Sequence, residues 1–455
     1  MNTISPKPAG SKRGIKLSPA QIIALGFAAI ILAGALLLML PISNRDGGSI
    51  PFINALFTAT SATCVTGLSV YDTWTQFSGF GHVVLLVLIQ IGGLGFMSIA
   101  VLFSLATGKR ISLRQRTYLS EAVSSEQLGG IVRLVKRVLM GTLVFELSGA
   151  LLLSLRLCPK LGFWRGLWYG LFHSITAFCN AGFDIMGYLE PGSSLSLFAD
   201  DWFFCVVIML LVLIGGIGFA VWSDLYDNHL NWRKYSLHTK LVLLLTVIFL
   251  FVPSVLFFFT ERSAAMAGMG FSDRILASMF QSVTLRTAGF STVDNGALSP
   301  AGRLLSILLM FIGGAPGSTA GGVKISTVAV ALLAISCYIR GRADVNVFDR
   351  RLDSSLIRRA FCTILFNLTL ALCGVFIICT VQPLALDDVM FEAFSAIGTT
   401  GLSTGITSQL AVISKLVIIT LMYAGRVGSI TVLVTAAEPR SVDKLRCPEG
   451  KVIVG

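Results

Sequence analysis

Four short stretches of the sequence share a glycine pattern that could bind a metal cation. Each has Thr or Ala, then Gly, then Leu or Phe, then Ser or Asp, and the four glycines are Gly67, Gly182, Gly289 and Gly401. Glycine accepts backbone angles that a Cβ forbids, so an extended turn at this residue can point its carbonyl oxygens towards a common axis. Four such turns together can replace the hydration shell of an ion. The residue types therefore indicate a cation site made of neutral oxygens.

The candidate cation site takes three residues from each turn. These are Val65, Thr66 and Gly67; Asn180, Ala181 and Gly182; Thr287, Ala288 and Gly289; and Thr399, Thr400 and Gly401. The threonine hydroxyls could add oxygen ligands or support the backbone from behind, and four plain buried turns remain the alternative. Asp184 follows Gly182 by two residues and either concentrates cations at the mouth of the site or is a solvated loop acid.

Each glycine turn ends a short apolar segment that lies between two long ones. The short segments are roughly 52–63, 167–178, 275–285 and 389–397. They are too short to cross a bilayer core of about 30 Å, and we interpret them as re-entrant pore helices. The long apolar stretches are roughly 20–41, 81–107, 131–157, 203–223, 239–259, 304–337, 357–382 and 411–437. The sequence therefore predicts an all-α integral membrane protein with eight transmembrane helices and four re-entrant pore helices.

The long–short–long unit recurs four times, with successive turn glycines 115, 107 and 112 residues apart. Four matches at near-equal spacing indicate an internal repeat. We assign repeat 1 to residues 20–110, repeat 2 to 111–230, repeat 3 to 231–345 and repeat 4 to 346–437. A cytoplasmic N-terminal arm (1–19) precedes them, and a cytoplasmic C-terminal tail (438–455) follows.

The composition argues against a soluble enzyme. The chain has 455 residues, of which 55% are hydrophobic and 13% charged, with a mean hydropathy of +0.82. Soluble proteins carry about 25% charged residues. The four histidines are scattered without a metal-ligand spacing, and the sequence contains no cluster of catalytic residues. The sequence therefore predicts neither an enzyme nor an organic cofactor.

The net charge of +12 is distributed along the chain in a way that predicts its orientation in a membrane. The termini and the segments between repeats hold 24 of the 35 basic residues and 10 of the 23 acids. The stretches that contain the short segments hold 8 basic residues and 12 acids. By the positive-inside rule, both termini are cytoplasmic and the glycine turns open outwards. The positive charge thus records orientation and does not indicate a nucleic-acid partner.

The second long stretch of repeat 3 is interrupted by residues that disfavour a helix. It contains Gly313, Gly314, Ala315, Pro316, Gly317, Ser318, Thr319, Ala320, Gly321 and Gly322. In a helix interior Gly costs about 1 kcal/mol and Pro about 3 kcal/mol relative to Ala. The sequence predicts a broken helix with a polar loop at membrane depth, and a simple kink is the alternative.

Together these motifs resemble the Trk/Ktr/HKT superfamily of potassium transporters, in particular its Ktr-type (KtrB-like) membrane subunit. The resemblance covers essentially the whole chain and is most specific in the four glycine turns and in residues 311–324. It implies four membrane–pore–membrane repeats around one pseudo-fourfold pore, with Gly67, Gly182, Gly289 and Gly401 in a selectivity filter for K+. Relatives with Ser at the first of these positions are associated with sodium transport, so Gly67 implies a preference for potassium.

The resemblance also implies how the pore is controlled. The interrupted stretch 313–322 resembles the family's intramembrane gating loop, which lies below the filter. Arg426 resembles an arginine that the family places near the pore, where it acts either as a positive barrier or as a partner of the loop; a structural arginine is the alternative. Lys324 is either a snorkelling lysine or an anchor for the loop. Arg286 is expected to brace the filter from behind.

Partners follow from the resemblance as well. The C-terminal tail implies a homodimer, and the family uses a separate cytoplasmic ring of KtrA-like RCK subunits that binds ATP or ADP. The sequence leaves open whether Na+ activates transport. The resemblance therefore implies channel-like potassium uptake across the bacterial plasma membrane, in contact with membrane lipid. A sodium-coupled or alternating-access cation transporter is the alternative.

Overall fold

The computed structural model describes residues 18–95, 131–229, 231–342, 344–348 and 350–428. This part of the chain contains fifteen α-helices and one short antiparallel hairpin. Its first helices are α1 (Pro19–Met39), α2 (Phe52–Thr63), α3 (Thr73–Gln76), α4 (Gly79–Leu94), α5 (Ile131–Leu161), α6 (Phe163–Phe178), α7 (Trp202–Gly216) and α8 (Phe219–Asn228). The remainder are α9 (Leu237–Thr260), α10 (Phe271–Thr284), α11 (Pro300–Phe311), α12 (Ile325–Ile339), α13 (Ser354–Val381), α14 (Leu386–Gly398) and α15 (Val412–Val427). The hairpin pairs β1 (Asn346–Val347) with β2 (Arg350–Arg351).

Several of the long helices begin at a serine that caps their free backbone amides. Ser18 accepts a hydrogen bond from the Gln21 amide at 3.2 Å, and its own amide donates to the Gln21 side chain at 2.9 Å. Ser236 and Ser299 cap α9 and α11 in the same manner, accepting from the third residue along at 3.2 and 3.0 Å. Such caps contribute about 1 kcal/mol each and fix where a helix starts.

The described helices include four that are long and apolar enough to cross a membrane: α1, α5, α9 and α13. The pair α7–α8 adds a fifth if it is taken as one bent span. The apolar helices α4, α11 and α12 are shorter. Large apolar side chains also face outwards, among them Leu151 (63% exposed), Phe259 (70%) and Phe376 (73%). A surface of this kind fits a lipid environment and confirms a mostly helical membrane protein.

In repeats 1, 2 and 4, the second long helix ends at or near a glycine, before its predicted end. The expected continuous helix over 203–223 is wrong, because α7 ends at Gly216 and α8 leaves it at an angle of 94°. The break lies at Gly218, whose φ is +95°. Helices α4 and α15 likewise end before Gly95 (φ +78°) and Gly428 (φ +94°), and the rest of their predicted stretches lies outside the described residues. These helices end because the glycine that follows each of them has a positive φ, and a right-handed α-helix cannot continue through a residue with that backbone angle.

The predicted broken helix of repeat 3 is present. Helix α11 ends at Phe311, α12 begins at Ile325, and residues 313–322 form a loop between them. The four short segments also form helices as predicted, although α6, α10 and α14 begin three or four residues before the expected positions. The first turns of these helices contain exposed residues such as Trp164 and Phe271. The apolar pattern marks only the buried part of each helix, so it does not include these first turns.

Candidate cation site

The four glycine turns, defined as residues 65–67, 180–182, 287–289 and 399–401, meet at one place. A Cβ atom added to any of their glycines would collide with the carbonyl oxygen that precedes the glycine of the next turn. A Cβ on Gly67 would lie 2.7 Å from the Ala181 oxygen, and one on Gly182 would lie 2.9 Å from the Ala288 oxygen. A Cβ on Gly289 would lie 2.5 Å from the Thr400 oxygen, and one on Gly401 would lie 2.0 Å from the Thr66 oxygen. These contacts run from the first turn through the fourth and back to the first. The turns therefore form a closed ring.

Each glycine turn contains two residues with a positive φ. The glycines have φ of +100°, +66°, +81° and +91° in chain order. Two residues earlier, φ is +57° at Val65, +58° at Asn180, +67° at Thr287 and +52° at Thr399. Val65, Thr287 and Thr399 are β-branched. A positive φ strains the backbone of such a residue and costs about 1–3 kcal/mol per residue. The sequence predicts special backbone angles for the glycines alone, because the residues at the second position share no type that would reveal it.

In the first and fourth turns, a pore-helix serine supports the backbone. The Gly67 amide donates to the Ser61 hydroxyl at 3.0 Å, and the Gly401 amide donates to the Ser395 hydroxyl at 3.0 Å. The preceding amides donate to the carbonyl oxygens of the same two serines at 2.8 Å. With their amides satisfied, these turns leave their carbonyl oxygens as the groups that face the neighbouring turns.

The second and third turns lack the side-chain support. The Ala181 amide donates to the Thr176 carbonyl at 2.8 Å, which is the same backbone bond as in the first and fourth turns, whereas the Ala288 amide donates to the Thr284 carbonyl, one residue nearer, at 2.9 Å. Neither turn has a serine hydroxyl at the position of Ser61 or Ser395. The side chain of Asn180 instead lies 3.5 Å from the Thr287 hydroxyl of the third turn.

The ring lies at the floor of a polar cavity of about 470 Å³. All four turn glycines line it, together with Asp72, Asp184 and Asp294, and none of the described residues that line it is Lys or Arg. Burial raises the pKa of Asp184 to about 6, and the nearby charge of Asp72 adds to the effect. The cavity therefore presents negative potential directly above the ring. This position favours the interpretation of Asp184 as a residue that concentrates cations.

The threonines of the ring are buried, and several lack hydrogen-bond partners. The hydroxyls of Thr66, Thr399 and Thr400 make no hydrogen bond with any described residue. Buried hydroxyls are normally paired, because leaving one unpaired costs about 1–3 kcal/mol. Such unpaired oxygens beside a ring of carbonyls fit the binding of a cation.

The loop 313–322 packs directly against the ring. A Cβ added to Gly321 would lie 2.0 Å from the Thr399 hydroxyl oxygen, and the Thr319 hydroxyl lies 3.4 Å from the Asn180 side chain. The loop is closed at its base, where the Gly313 amide donates to the Val323 carbonyl at 2.8 Å. The loop thus contacts the second and fourth turns.

Backbone hydrogen bonds also tie the loop to the ends of two helices. The Ala315 amide donates to the Gly216 carbonyl at 2.9 Å, and the Phe219 amide donates to the Gly317 carbonyl at 2.8 Å. On the opposite side, the Gly322 amide donates to the Gly425 carbonyl at 3.3 Å. The loop therefore bridges repeats 2 and 4 next to the turns.

Arg426 and Lys324 both donate to carbonyl oxygens near the loop. Arg426 donates to the Thr319 carbonyl of the loop and to the carbonyls of Gly92 and Gly93 at the end of α4, the last at 3.1 Å. Lys324 donates to the Ala320 carbonyl at 2.6 Å and to the Gly321 carbonyl at 3.3 Å. Of the alternatives left open by the sequence, these contacts favour a partner of the loop for Arg426 and an anchor for Lys324.

Arg286 and His173 lie close to the turns but contact other groups. Within the described residues, the buried Arg286 side chain donates to the Thr246 hydroxyl of α9 at 3.4 Å and makes no hydrogen bond to the turn that it was expected to brace. His173 lies inside α6 with its Nδ1 atom 2.8 Å from the Tyr169 carbonyl. This contact holds the imidazole ring against its own helix and away from the turns.

Two buried glutamates have partners that the sequence did not reveal. Glu146 accepts a hydrogen bond from the Gln90 amide at 3.0 Å. Glu392, which the charge count assigned to the outer stretches, is fully buried in α14 and accepts a hydrogen bond from Thr407. Gln90 is 56 residues from Glu146, and Thr407 lies between α14 and α15, 15 residues from Glu392, so no helical spacing could indicate them.

Comparison with known proteins decides the family. The chain matches the TrkH family of cation transport proteins over residues 18–444. It belongs to that family. The chain is also 38% identical to the potassium/sodium uptake protein NtpJ of Enterococcus hirae, over 97% of this chain and 98% of the relative. It is 39% identical to the Ktr system potassium uptake protein B of Bacillus subtilis, again over 97% and 98%.

The TrkH-family assignment confirms the predicted resemblance to Ktr-type membrane subunits and excludes an enzyme. The crystal structure of the potassium transporter TrkH from Vibrio parahaemolyticus is similar to this structure, with a TM-score of 0.73. The match covers 94% of this chain and 86% of that one at 18% identity, so it supports the fold alone. This TrkH-family chain is a multi-pass membrane protein that transports cations.

Proposed function

We propose that this chain is the pore-forming subunit of a channel-like potassium uptake system in the bacterial plasma membrane. The observation that carries the proposal is the closed ring of four glycine turns, in which each turn glycine lies against a carbonyl oxygen of the next turn. Carbonyl rings of this kind replace the hydration shell of a monovalent cation. The names of two relatives, which are uptake proteins for potassium or for potassium and sodium, support the choice of ion.

The proposed pore has four membrane–pore–membrane repeats with pseudo-fourfold symmetry. The second spans of repeats 1 and 4 include α4 and α15, the pair α7–α8 forms one bent span, and α11 and α12 form another on either side of the loop. Helices α2, α6, α10 and α14 are then the four pore helices. Both termini lie in the cytoplasm, because the basic residues are concentrated on that side.

The selectivity filter consists of the twelve residues of the glycine turns. Potassium is the transported ion, and it passes the carbonyl oxygens next to Gly67, Gly182, Gly289 and Gly401. The negative potential of the cavity above the ring raises the local cation concentration, because charged walls around a cleft focus the electrostatic field. Each turn has one glycine, so potassium should be preferred over sodium less strongly than in a tetrameric potassium channel.

The loop 313–322 is the proposed gate. It lies against two filter turns and is fastened by Arg426 and Lys324, so it must shift before ions can pass. Deleting Ala315–Gly321 should raise the ion flux at equal amounts of protein in the membrane. An unchanged flux with preserved selectivity would reject the loop as a gate.

The gate is expected to respond to partners outside this chain. We propose a homodimer of membrane subunits that binds a cytoplasmic ring of KtrA-like RCK subunits, with ATP or ADP as the regulatory ligand. Na+ is a candidate activator. Mass determination of the purified complex in detergent, with and without an RCK subunit, tests both assemblies.

The proposal as a whole is tested by potassium uptake in a bacterium that lacks its own uptake systems. Expression of this chain with its regulatory subunit should restore growth at low potassium, and measurements with and without sodium reveal any activation. Electrodiffusive uptake should follow the membrane potential without fixed ion coupling. A constant ratio of sodium to potassium transported would instead favour the coupled transporter.

A further inference from the structure

Glu146 is an acidic residue in the middle of a helix that spans the membrane. It lies in α5 and is 5% exposed. An ionisable residue at membrane depth is costly and is usually retained for function. In the described part of the chain, its side chain forms no ion pair with Lys or Arg. A specific polar environment must therefore stabilise this residue.

That environment is supplied by the first repeat and by the end of a pore helix. One carboxylate oxygen of Glu146 accepts from the Gln90 amide at 3.0 Å, and the other lies 3.8 Å from the Cys179 thiol. The same thiol lies 3.2 Å from the side-chain oxygen of Gln90. The three side chains thus form a closed triangle. They come from α4, α5 and the C-terminal cap of α6.

Cys179 is the residue immediately before the second glycine turn. It is fully buried, and a Cβ added to Gly93 would lie 2.7 Å from its sulfur atom. The next residue, Asn180, adopts a positive φ of +58° and begins the turn. Since this turn lacks the serine that supports the first and fourth turns, its position depends more on contacts at Cys179.

The backbone of Glu146 joins the same helices. Its carbonyl accepts from the Ser174 hydroxyl of α6 at 2.6 Å. Helices α5 and α6 are therefore fastened to each other at Glu146 through both its main chain and its side chain. A shift of Glu146 would carry the end of the pore helix with it.

The same segment of α4 connects the triangle to the loop. Gln90 lies two and three residues before Gly92 and Gly93, whose carbonyls accept hydrogen bonds from Arg426. Arg426 in turn donates to Thr319 of the loop. The end of α4 therefore lies between a buried acid beside the second turn and a half-buried arginine beside the loop.

We propose that Glu146, acting with Gln90 through Cys179, is the positioning residue for the second glycine turn and thereby sets ion selectivity. The inference rests on the proposed function of the ring as a selectivity filter. Glu146 does not touch the ion. It fixes the place of Asn180 and of the Ala181 carbonyl, which meets Gly67 of the first turn.

The test measures the potassium-to-sodium permeability ratio of the full chain in liposomes, with flux at several ion concentrations to separate KM from maximal rate. Glu146→Leu should lower the ratio by about fivefold, the size expected for losing one ordinary hydrogen bond. Thr142→Val is the matched control, because Thr142 lies one turn earlier on α5, is buried and has a hydroxyl without a described partner. This control should keep the ratio of the unmodified chain.

Exchanging the two members of the pair separates positioning from simple packing. Glu146→Gln alone should lower the ratio, because two amides then face each other with one acceptor fewer. The double variant Glu146→Gln with Gln90→Glu restores one carboxylate and one amide, and it should recover most of the ratio. Equal ratios in the single and double variants would overturn the proposal even if Glu146→Leu failed to fold.

Cys179→Ala provides a double-mutant cycle with Glu146→Gln. If the glutamate acts through the thiol, the second substitution should add little to the first. Additive effects would contradict the proposed route. Gly182→Ala separates the role of Glu146 from the role of the ring as a filter. If Gly182→Ala changes the permeability ratio while the Glu146 variants do not, the ring remains the filter and only the role of Glu146 is rejected. If none of these variants changes the ratio, the filter itself is wrongly assigned.

Discussion

The first and fourth glycine turns differ from the second and third in how their backbones are held. Ser61 and Ser395 accept hydrogen bonds from the turn glycines at 3.0 Å. The second and third turns have no serine at the equivalent position, and there the Asn180 side chain lies 3.5 Å from the Thr287 hydroxyl. Yet all four turns have the same pair of positive φ values and take part in one ring. The difference shows that one backbone geometry is supported by unrelated side chains.

The largest effect should come from filling the tightest contact of the ring. Gly401→Ala would place a Cβ 2.0 Å from the Thr66 carbonyl oxygen, whereas the shortest contact at Gly182 is 2.8 Å. We expect Gly401→Ala to abolish potassium uptake and Gly182→Ala to reduce it less. Uptake rates normalised to the amount of protein in the membrane measure both. Equal losses would show that packing does not distinguish the fourth turn from the second.

A smaller effect should follow from removing the serine supports. Ser61→Ala or Ser395→Ala deletes the hydroxyl acceptor of a turn glycine, which is worth about 1 kcal/mol, or about fivefold in the potassium-to-sodium ratio. Thr176→Val is the control, because Thr176 holds the equivalent position in the second turn but its hydroxyl donates to the His173 carbonyl. A loss of selectivity as large in this control would remove the distinction between the two pairs of turns.

The smallest effect concerns the cavity above the ring. Burial raises the pKa of Asp184 to about 6, so this carboxylate becomes protonated as the external pH falls through that value. Losing one negative charge weakens the attraction of cations, and uptake from dilute potassium should fall about twofold, more at low ionic strength. Asp184→Asn should remove this pH dependence and give the lower rate throughout. An unaltered pH profile in the variant would assign the dependence to another group.

Much of the organisation could be predicted from the sequence because it repeats. The four glycines, the short helices before them and the interrupted stretch at 313–322 each leave a local signal of composition and spacing. The breaks at Gly95, Gly218 and Gly428 were harder to predict, since glycines in a membrane helix fit close helix packing as well as a break. The structure supports both uses: Gly215, for example, approaches the Phe178 carbonyl so closely that a Cβ would lie 2.0 Å from it.

The contacts around the site could not be predicted, because they join residues distant in the chain. Arg426 reaches carbonyls 334 and 107 residues away, and Gln90 meets Glu146 across 56 residues. Arg286 shows the opposite error: its position next to a turn suggested a brace for the ring, but its hydrogen bond goes to α9. Sequence proximity indicated which residues are near the site and not what they touch.

The central claim is that the ring of glycine turns selects the transported ion, and Gly67→Ser tests it most directly. Serine at φ +100° would place its Cβ 2.7 Å from the Ala181 carbonyl oxygen, so the ring must widen. The matched control is Gly47→Ser, at φ +69° with open space around it. We predict that the sodium-to-potassium permeability ratio rises about tenfold, equivalent to ~1.4 kcal/mol of discrimination, in Gly67→Ser and stays constant in the control. An unchanged ratio in a Gly67→Ser protein that still conducts would contradict the assignment of the ring as the filter.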